Sequence, residues 1–273
     1  MIYFCHIPKT SGTSVVHSVS NAFSDTLRIP EWFEVYDPAQ VANSNREGFE
    51  KFLELSVKEY DFIYGHLGSA FSSRNYSDQV DTFTLIREPV DRLISIYNWI
   101  NRDVSESLWE KERKFELIPF LRNEHKTFYP SFSHTNNSQS AYIISDYCWY
   151  LIDKNIFISI NPINISFEEL LQIIKKRKIT ISTIDNRKYL LDELEICLNK
   201  IKQTNIKLDK NLKENINIIG QKRITLENIY SSLSKEDLDK IKQFNQLDFQ
   251  LYDYVKNHEE KTGRPLNHKD ILF

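Results

Sequence analysis

A chain of 273 residues with 41% hydrophobic and 13% aromatic content can bury one sizeable core and not clearly two large ones. Its formal net charge of −3 excludes a general attraction to nucleic acid or to an anionic membrane, while leaving room for a local basic patch. Three cysteines, Cys5, Cys148 and Cys197, are odd in number and form no CxxC pair, which argues against a disulfide framework, a zinc site or a catalytic thiol. No basic n-region precedes the short Ile-Tyr-Phe-Cys run after Met1, and no segment approaches the roughly 20 apolar residues of a membrane span. The expectation is a cytoplasmic protein with one domain over residues 1–273; oligomeric state is encoded in none of these features.

Along the chain, Ile2 to Cys5 suits a buried strand and His6 to Gly12 a polar turn. Thr13 to Phe23 suits a helix, with Val15, Val16, Val19 and Phe23 on one face. A helix is expected over Arg46 to Val57, a second strand over Asp61 to Tyr64, and a third over Thr82 to Ile86. Pro89 then opens a helix bearing Leu93, Ile94, Tyr97 and Ile100. Residues 101–138 read as an irregular, aromatic insertion. Further helices are predicted over Gln139 to Leu151, Phe167 to Lys176 and Lys188 to Ile201, with a fourth strand over Lys178 to Ser182. Thr204 to Thr225 reads as loop. Ser234 to Asp237 forms a capping box ahead of one helix carrying Leu238, Ile241, Leu247, Leu251 and Tyr254. Strands alternating with helices imply an α/β fold around a mainly parallel central sheet flanked by helices.

Two anion motifs fall at strand-to-helix junctions. In the first, Pro8, Lys9, Thr10, Ser11, Gly12, Thr13 and Ser14 lead into a helix N-terminus, where unpaired N–H groups and a partial positive charge favour a phosphate. Gly12 permits close backbone approach, the hydroxyls add donors, and Lys9 adds a full charge. The lysine precedes the glycine, so this is not the GxxxxGK[ST] loop of ATPases. In the second, Arg87 stands at a strand end and Ser95 lies about two helical turns further on. Arginine offers a planar fork for phosphate, serine a neutral donor.

The loop Pro8-Lys9-Thr10-Ser11-Gly12-Thr13-Ser14 resembles the 5′-phosphosulfate loop of sulfotransferases of the carbohydrate type, related to heparan sulfate 2-O-sulfotransferase. Their loop typically reads PKTGGTS or PKTGSTS, and Ser11 replaces the usual first glycine. The stretch Arg87-Glu88-Pro89-Val90-Asp91-Arg92-Leu93-Ile94-Ser95-Ile96-Tyr97 resembles the family's 3′-phosphate motif, R-[DE]-P-x-x-R-x-x-S-x-Y. The resemblance implies a P-loop NTPase-like fold and the co-substrate 3′-phosphoadenosine 5′-phosphosulfate (PAPS), with PAP as product. Arg87 and Ser95 would hold the 3′-phosphate, and Arg92 would anchor its helix by a salt bridge. The acceptor would be a hydroxyl compound, a saccharide by analogy, and the chemistry requires no metal.

An attacking hydroxyl needs a base, and of seven histidines His66 follows the second strand on the edge that carries both anion motifs. The family carries a Gly-His after the equivalent strand. His66 is therefore the candidate base and Lys9 the group that stabilises the departing oxygen; His125, His134 and Glu88 are alternative bases. Asn137-Ser138-Gln139-Ser140 is similar to a family N-x-Q-[ST] segment near the acceptor cleft, with Ala141 where Arg is usual. A nucleotide-dependent phosphotransferase and a non-catalytic PAP-binding module are the competing readings.

Overall fold

Side-chain alternation in the first strand sets up both faces of the molecule. In β1 (Ile2–Cys5), Ile2 and Phe4 join one buried cluster and Tyr3 and Cys5 another. Successive residues of a strand point to opposite faces, so burial of all four means that both faces are covered. The computed structural model describes residues 1–24, 26–28, 60–66, 68–69, 80–100, 116–124, 136–144, 152–153, 156–157, 165–212 and 226–272. After β1 come α1 (Gly12–Ala22), β2 (Thr26–Arg28), β3 (Phe62–Gly65), β4 (Asp81–Ile86), α2 (Pro89–Ile100), α3 (Leu117–Leu121) and α4 (Ser138–Ile144). Then follow β5 (Ile152–Asp153), β6 (Ile156–Phe157), α5 (Phe167–Lys176), β7 (Ile179–Thr183), α6 (Arg187–Lys202), α7 (Leu226–Tyr230), α8 (Lys235–Phe244) and α9 (Gln246–Thr262).

Five strands form one sheet in the order β2-β3-β1-β4-β7 with every neighbouring pair parallel, while β5 and β6 make a separate antiparallel pair. This is the expected α/β architecture, a P-loop-like sheet between helices. On one face α4, α5 and α9 supply Tyr142, Ile143, Leu170, Leu171, Ile174, Leu251 and Val255. On the other, α1 and α6 supply Val15, Val16, Val19, Leu190, Leu191, Leu194 and Leu198. Each fully buried Val, Leu, Ile or Phe contributes about 1.5–3 kcal/mol, so these two layers dominate the fold's stability. A third cluster joins Val90, Leu93, Ile94 and Ile96 of α2 to Phe120 and Leu121 of α3, Ile229 of α7 and Ile241 of α8.

Three departures from expectation stand out. β2 adds an edge strand of only three residues, too short to show a period. The helix after Ser234 is two helices, broken at Asn245 with φ −124°. The described part of the 101–138 segment is not wholly irregular, because 116–124 contains α3, whose Phe120 and Leu121 are core residues. The helix expected over Arg46 to Val57, together with Trp109, Phe115, His125, Phe128, Tyr129, Phe132, His134 and Cys148, lies outside the described residues. No described helix is long and apolar enough to cross a membrane.

Candidate active site

β1 lies between β3 and β4, in register at Cys5 with Gly65 on one side and Thr84 on the other. A parallel sheet presents its ligand crevice beyond the carboxyl ends of its strands, where successive connections leave in opposite directions. The loop of residues 6–11, His66 and Arg87 leave those three adjacent strand ends. The sequence motifs therefore converge because of strand order.

The loop is a tight structure of its own. His6 continues the ladder by donating its N–H to Gly65 O at 2.9 Å. Thr10 is buried and its hydroxyl donates to Ile7 O at 2.8 Å, so this hydroxyl shapes the turn. Lys9 and Ser11 both take left-handed backbone, with φ 67° and 61°. For a non-glycine residue that region costs about 1–2 kcal/mol, and such outliers gather where ligands bind. Ser11 is also the residue before the first turn of α1, and its side chain makes no capping hydrogen bond. Gly12, buried at the start of α1, lies against the ring of His6. Thr13 is half-buried and Ser14 buried, its N–H donating to Ser11 O at 3.1 Å.

His66 is half-buried, with its Nδ1 2.6 Å from the carbonyl oxygen of His6. A carbonyl can only accept, so the neutral ring carries its proton on Nδ1 and Nε2 is the basic nitrogen. The rings of His6 and His66 lie 4.4 Å apart at 33°. The segment after His66 is fastened separately. Ser69 donates its N–H to Tyr142 O at 2.8 Å and its hydroxyl to Ile143 O at 2.6 Å. Arg177 gathers the same carbonyl end of α4, donating to Ile143 O at 2.7 Å, Ile144 O at 2.9 Å and the Ser69 hydroxyl at 3.2 Å. The basic run at 175–178 thus contributes Arg177 to an internal clasp.

Arg87 meets the first motif directly. Its guanidinium donates from a terminal nitrogen to Lys9 O at 3.3 Å and from Nε to Asp91 at 2.5 Å. Arg92 is fully buried; its Nε donates to Pro8 O at 3.1 Å and another nitrogen donates to the Ser138 hydroxyl. It therefore ties α2 to the loop through the Pro8 carbonyl and to α4 through the Ser138 hydroxyl. Ser95 is buried on the same helix. Glu88 caps α2, accepting from Asp91 N at 2.6 Å, and accepts from the Tyr230 hydroxyl at 3.2 Å. Burial pushes the Glu88 carboxyl above the usual range against those hydrogen bonds. Burial and the adjacent Glu88 also push the Tyr230 hydroxyl up. A capping role with two donors already in place explains Glu88 without assigning it proton transfer.

Behind Arg87 sits a polar joint. Gln139 accepts from Arg87 N at 2.8 Å and donates to Arg87 O at 2.9 Å. Asp248, on α9, accepts from Gln139 N at 3.0 Å and from Ser140 N and Oγ at 2.7 Å each. In return Asn137 accepts from Leu247 N at 2.9 Å and Asp248 N at 3.3 Å. Asn137, Ser138, Gln139 and Ser140 are all buried. The segment that resembles an acceptor-side motif braces the arginine, a role at which only its Asn-Ser-Gln-Ser string hinted. Cys5 is buried, and burial pushes the Cys197 thiol up to about 11, which suits an inert packing residue.

None of the curated proteins matches the chain significantly. The profile of the family described as "Sulfotransferase family" matches residues 1–255, nearly the whole chain and every residue of the site just described. The chain belongs to the sulfotransferase family.

Proposed function

We propose that this sulfotransferase transfers the sulfuryl group of PAPS to a hydroxyl of a carbohydrate or glycoconjugate acceptor, with His66 as general base. The observation that supports the reading is the hydrogen bond from Arg87 to the Lys9 carbonyl, which brings the two anion motifs into contact. Separate phosphate sites on unrelated surfaces would not serve one bisphosphorylated nucleotide.

PAPS brings an activated sulfuryl group, and the chain supplies binding, charge and a base. The α1 N-terminus, with Gly12, Thr13 and Ser14, suits the 5′-phosphosulfate, while Arg87 and Ser95 suit the 3′-phosphate. Nε2 of His66 takes the proton of the attacking hydroxyl as the new oxygen–sulfur bond forms. The Lys9 ammonium stabilises the negative charge that develops on the departing phosphate oxygen. Transfer in line requires no covalent enzyme intermediate.

Calorimetric titration with PAP, AMP and ATP, followed by labelled-sulfate transfer to saccharide acceptors, tests the reading. Selective binding of PAP is expected. His66→Ala should keep PAP affinity and lose about 10²–10⁴-fold in turnover. Lys9→Ala should lower kcat by about 10²–10³-fold, well beyond its effect on PAP binding. Magnesium-dependent preference for ATP would replace the reading with phosphoryl transfer. PAP binding with turnover indifferent to His66→Ala would remove the base.

A further inference from the structure

We infer that Gln139 is a positioning residue that aims Arg87, and through it sets the preference for a nucleotide bearing a 3′-phosphate. The inference rests on the reading above, in which Arg87 holds that phosphate.

Arg87 is the first residue past β4. On the β7 side the ladder ends one residue earlier, where Ile184 N donates to Ile86 O at 2.9 Å. On the other side β1 has finished at Cys5 and turned into the anion loop. The N–H and C=O of Arg87 thus lack a neighbouring strand at the point where its side chain must be held. Gln139 fills that place. A primary amide carries one acceptor and one donor side by side, which matches the N–H and C=O of a single residue. Both bonds are short, at 2.8 and 2.9 Å, and Gln139 is 1% exposed, so water does not compete for them. The backbone that carries this amide is itself held, since the Gln139 main-chain N–H donates to Asp248 at 3.0 Å.

The backbone of Arg87 is therefore clamped by Gln139, Nε by Asp91 and one terminal nitrogen by Lys9 O. A guanidinium has five donors in a rigid plane, so fixing the backbone and Nε fixes where the rest of the fork points. Of the joint's hydrogen bonds described above, the two made by the Gln139 amide reach Arg87, one of the two residues assigned to the 3′-phosphate.

The test is titration of wild type, Gln139→Met and Gln139→Asn with PAP and with AMP, which lacks the 3′-phosphate. Met has similar length and no amide; Asn keeps the amide but is one methylene short. Thermal melting selects whichever variant folds. Wild type should favour PAP. The variant should lose about tenfold in PAP affinity, the size of one to two hydrogen bonds, while AMP affinity stays within about twofold. In an Arg87→Ala background the same substitution should leave PAP affinity unchanged. Equal loss for PAP and AMP, or a loss that persists without Arg87, would show that Gln139 only supports the fold and would overturn the inference. A wild type that binds AMP as tightly as PAP would instead overturn the assignment of Arg87, and the inference with it.

Discussion

A methyl group at position 12 would collide with His6: a Cβ built on Gly12 falls 2.1 Å from Cδ2 and 2.5 Å from Nε2 of that ring. Gly12 is thus required for more than backbone approach to a phosphate. It makes room for the imidazole that packs against His66 and whose own residue supplies the carbonyl bonded to His66 Nδ1. Gly12→Ala should force the His6 ring aside, lowering stability by about 1–3 kcal/mol, as overpacking does. It should also lower turnover, because the partner of His66 moves. Removing the obstacle in His6→Ala/Gly12→Ala should recover much of the stability, so that the double variant falls short of the sum. Additive losses in denaturant titrations would mean the two positions do not touch. The glycine was legible as a phosphate-loop residue from its place in the motif. Its contact with His6 was not, because two residues six apart meet only once the turn takes its left-handed geometry at Lys9 and Ser11.

Helices α4 and α9 cap each other. Asn137 satisfies the first N–H groups of α9, and Asp248 satisfies those of α4. Such N-terminal groups have no partner within their own helix, so leaving them unmet in a buried joint costs about 1–3 kcal/mol each. In Asp248→Asn one carboxylate oxygen becomes an amide that faces the Gln139 or Ser140 N–H, donor against donor. The expected result is a loss of about 1–3 kcal/mol in urea unfolding. An unchanged midpoint would deny the reciprocal cap. Local caps were open to reading because their partners sit three residues apart: the box at Ser234 and Asp237 is observed, and the same pattern recurs at Ser166 and Glu169. The joint spans more than a hundred residues and leaves no spacing to detect. That distance also explains why the expected single helix is divided at Asn245: the break is fixed by Asn137, from a remote part of the chain. The strands β1, β3, β4 and β7 were legible as apolar runs, whereas β2 exists because β3 offers it an edge.

At the scale of the molecule, α9 braces the carboxyl edge of the sheet twice. Asp248 near its start supports Gln139 and hence Arg87. Glu259 near its end is buried and accepts from Thr183 N at 2.9 Å, Thr183 Oγ1 at 2.6 Å, Asn186 Nδ2 at 3.0 Å and the Ser182 hydroxyl. The helix that precedes α9, α8, has in its N-terminal capping box a carboxylate, Asp237, that acid should discharge. The Ser234 hydroxyl, aided by the ion pair to Arg122, holds the Asp237 carboxyl below its ordinary range. Glu195 is held low in the same sense, by Leu208 N–H and then Lys207. A carboxyl depressed in the folded state contributes stability that is fully present above its unfolded value, about 4, and lost as pH falls through the folded value. Glu88, raised by burial, acts in the opposite sense, because acid relieves its charge. Whole-protein acid unfolding mixes these slopes, so the decisive quantity is the gap between wild type and Asp237→Asn. Urea midpoints should differ clearly at pH 7, with wild type the more stable, and the gap should shrink as pH falls below about 4, where the unfolded carboxyl takes up its proton first and the native one follows at its depressed value. A gap that stays constant with pH would show that Asp237 contributes by packing, and the charge on the α8 cap would have no part in holding the brace.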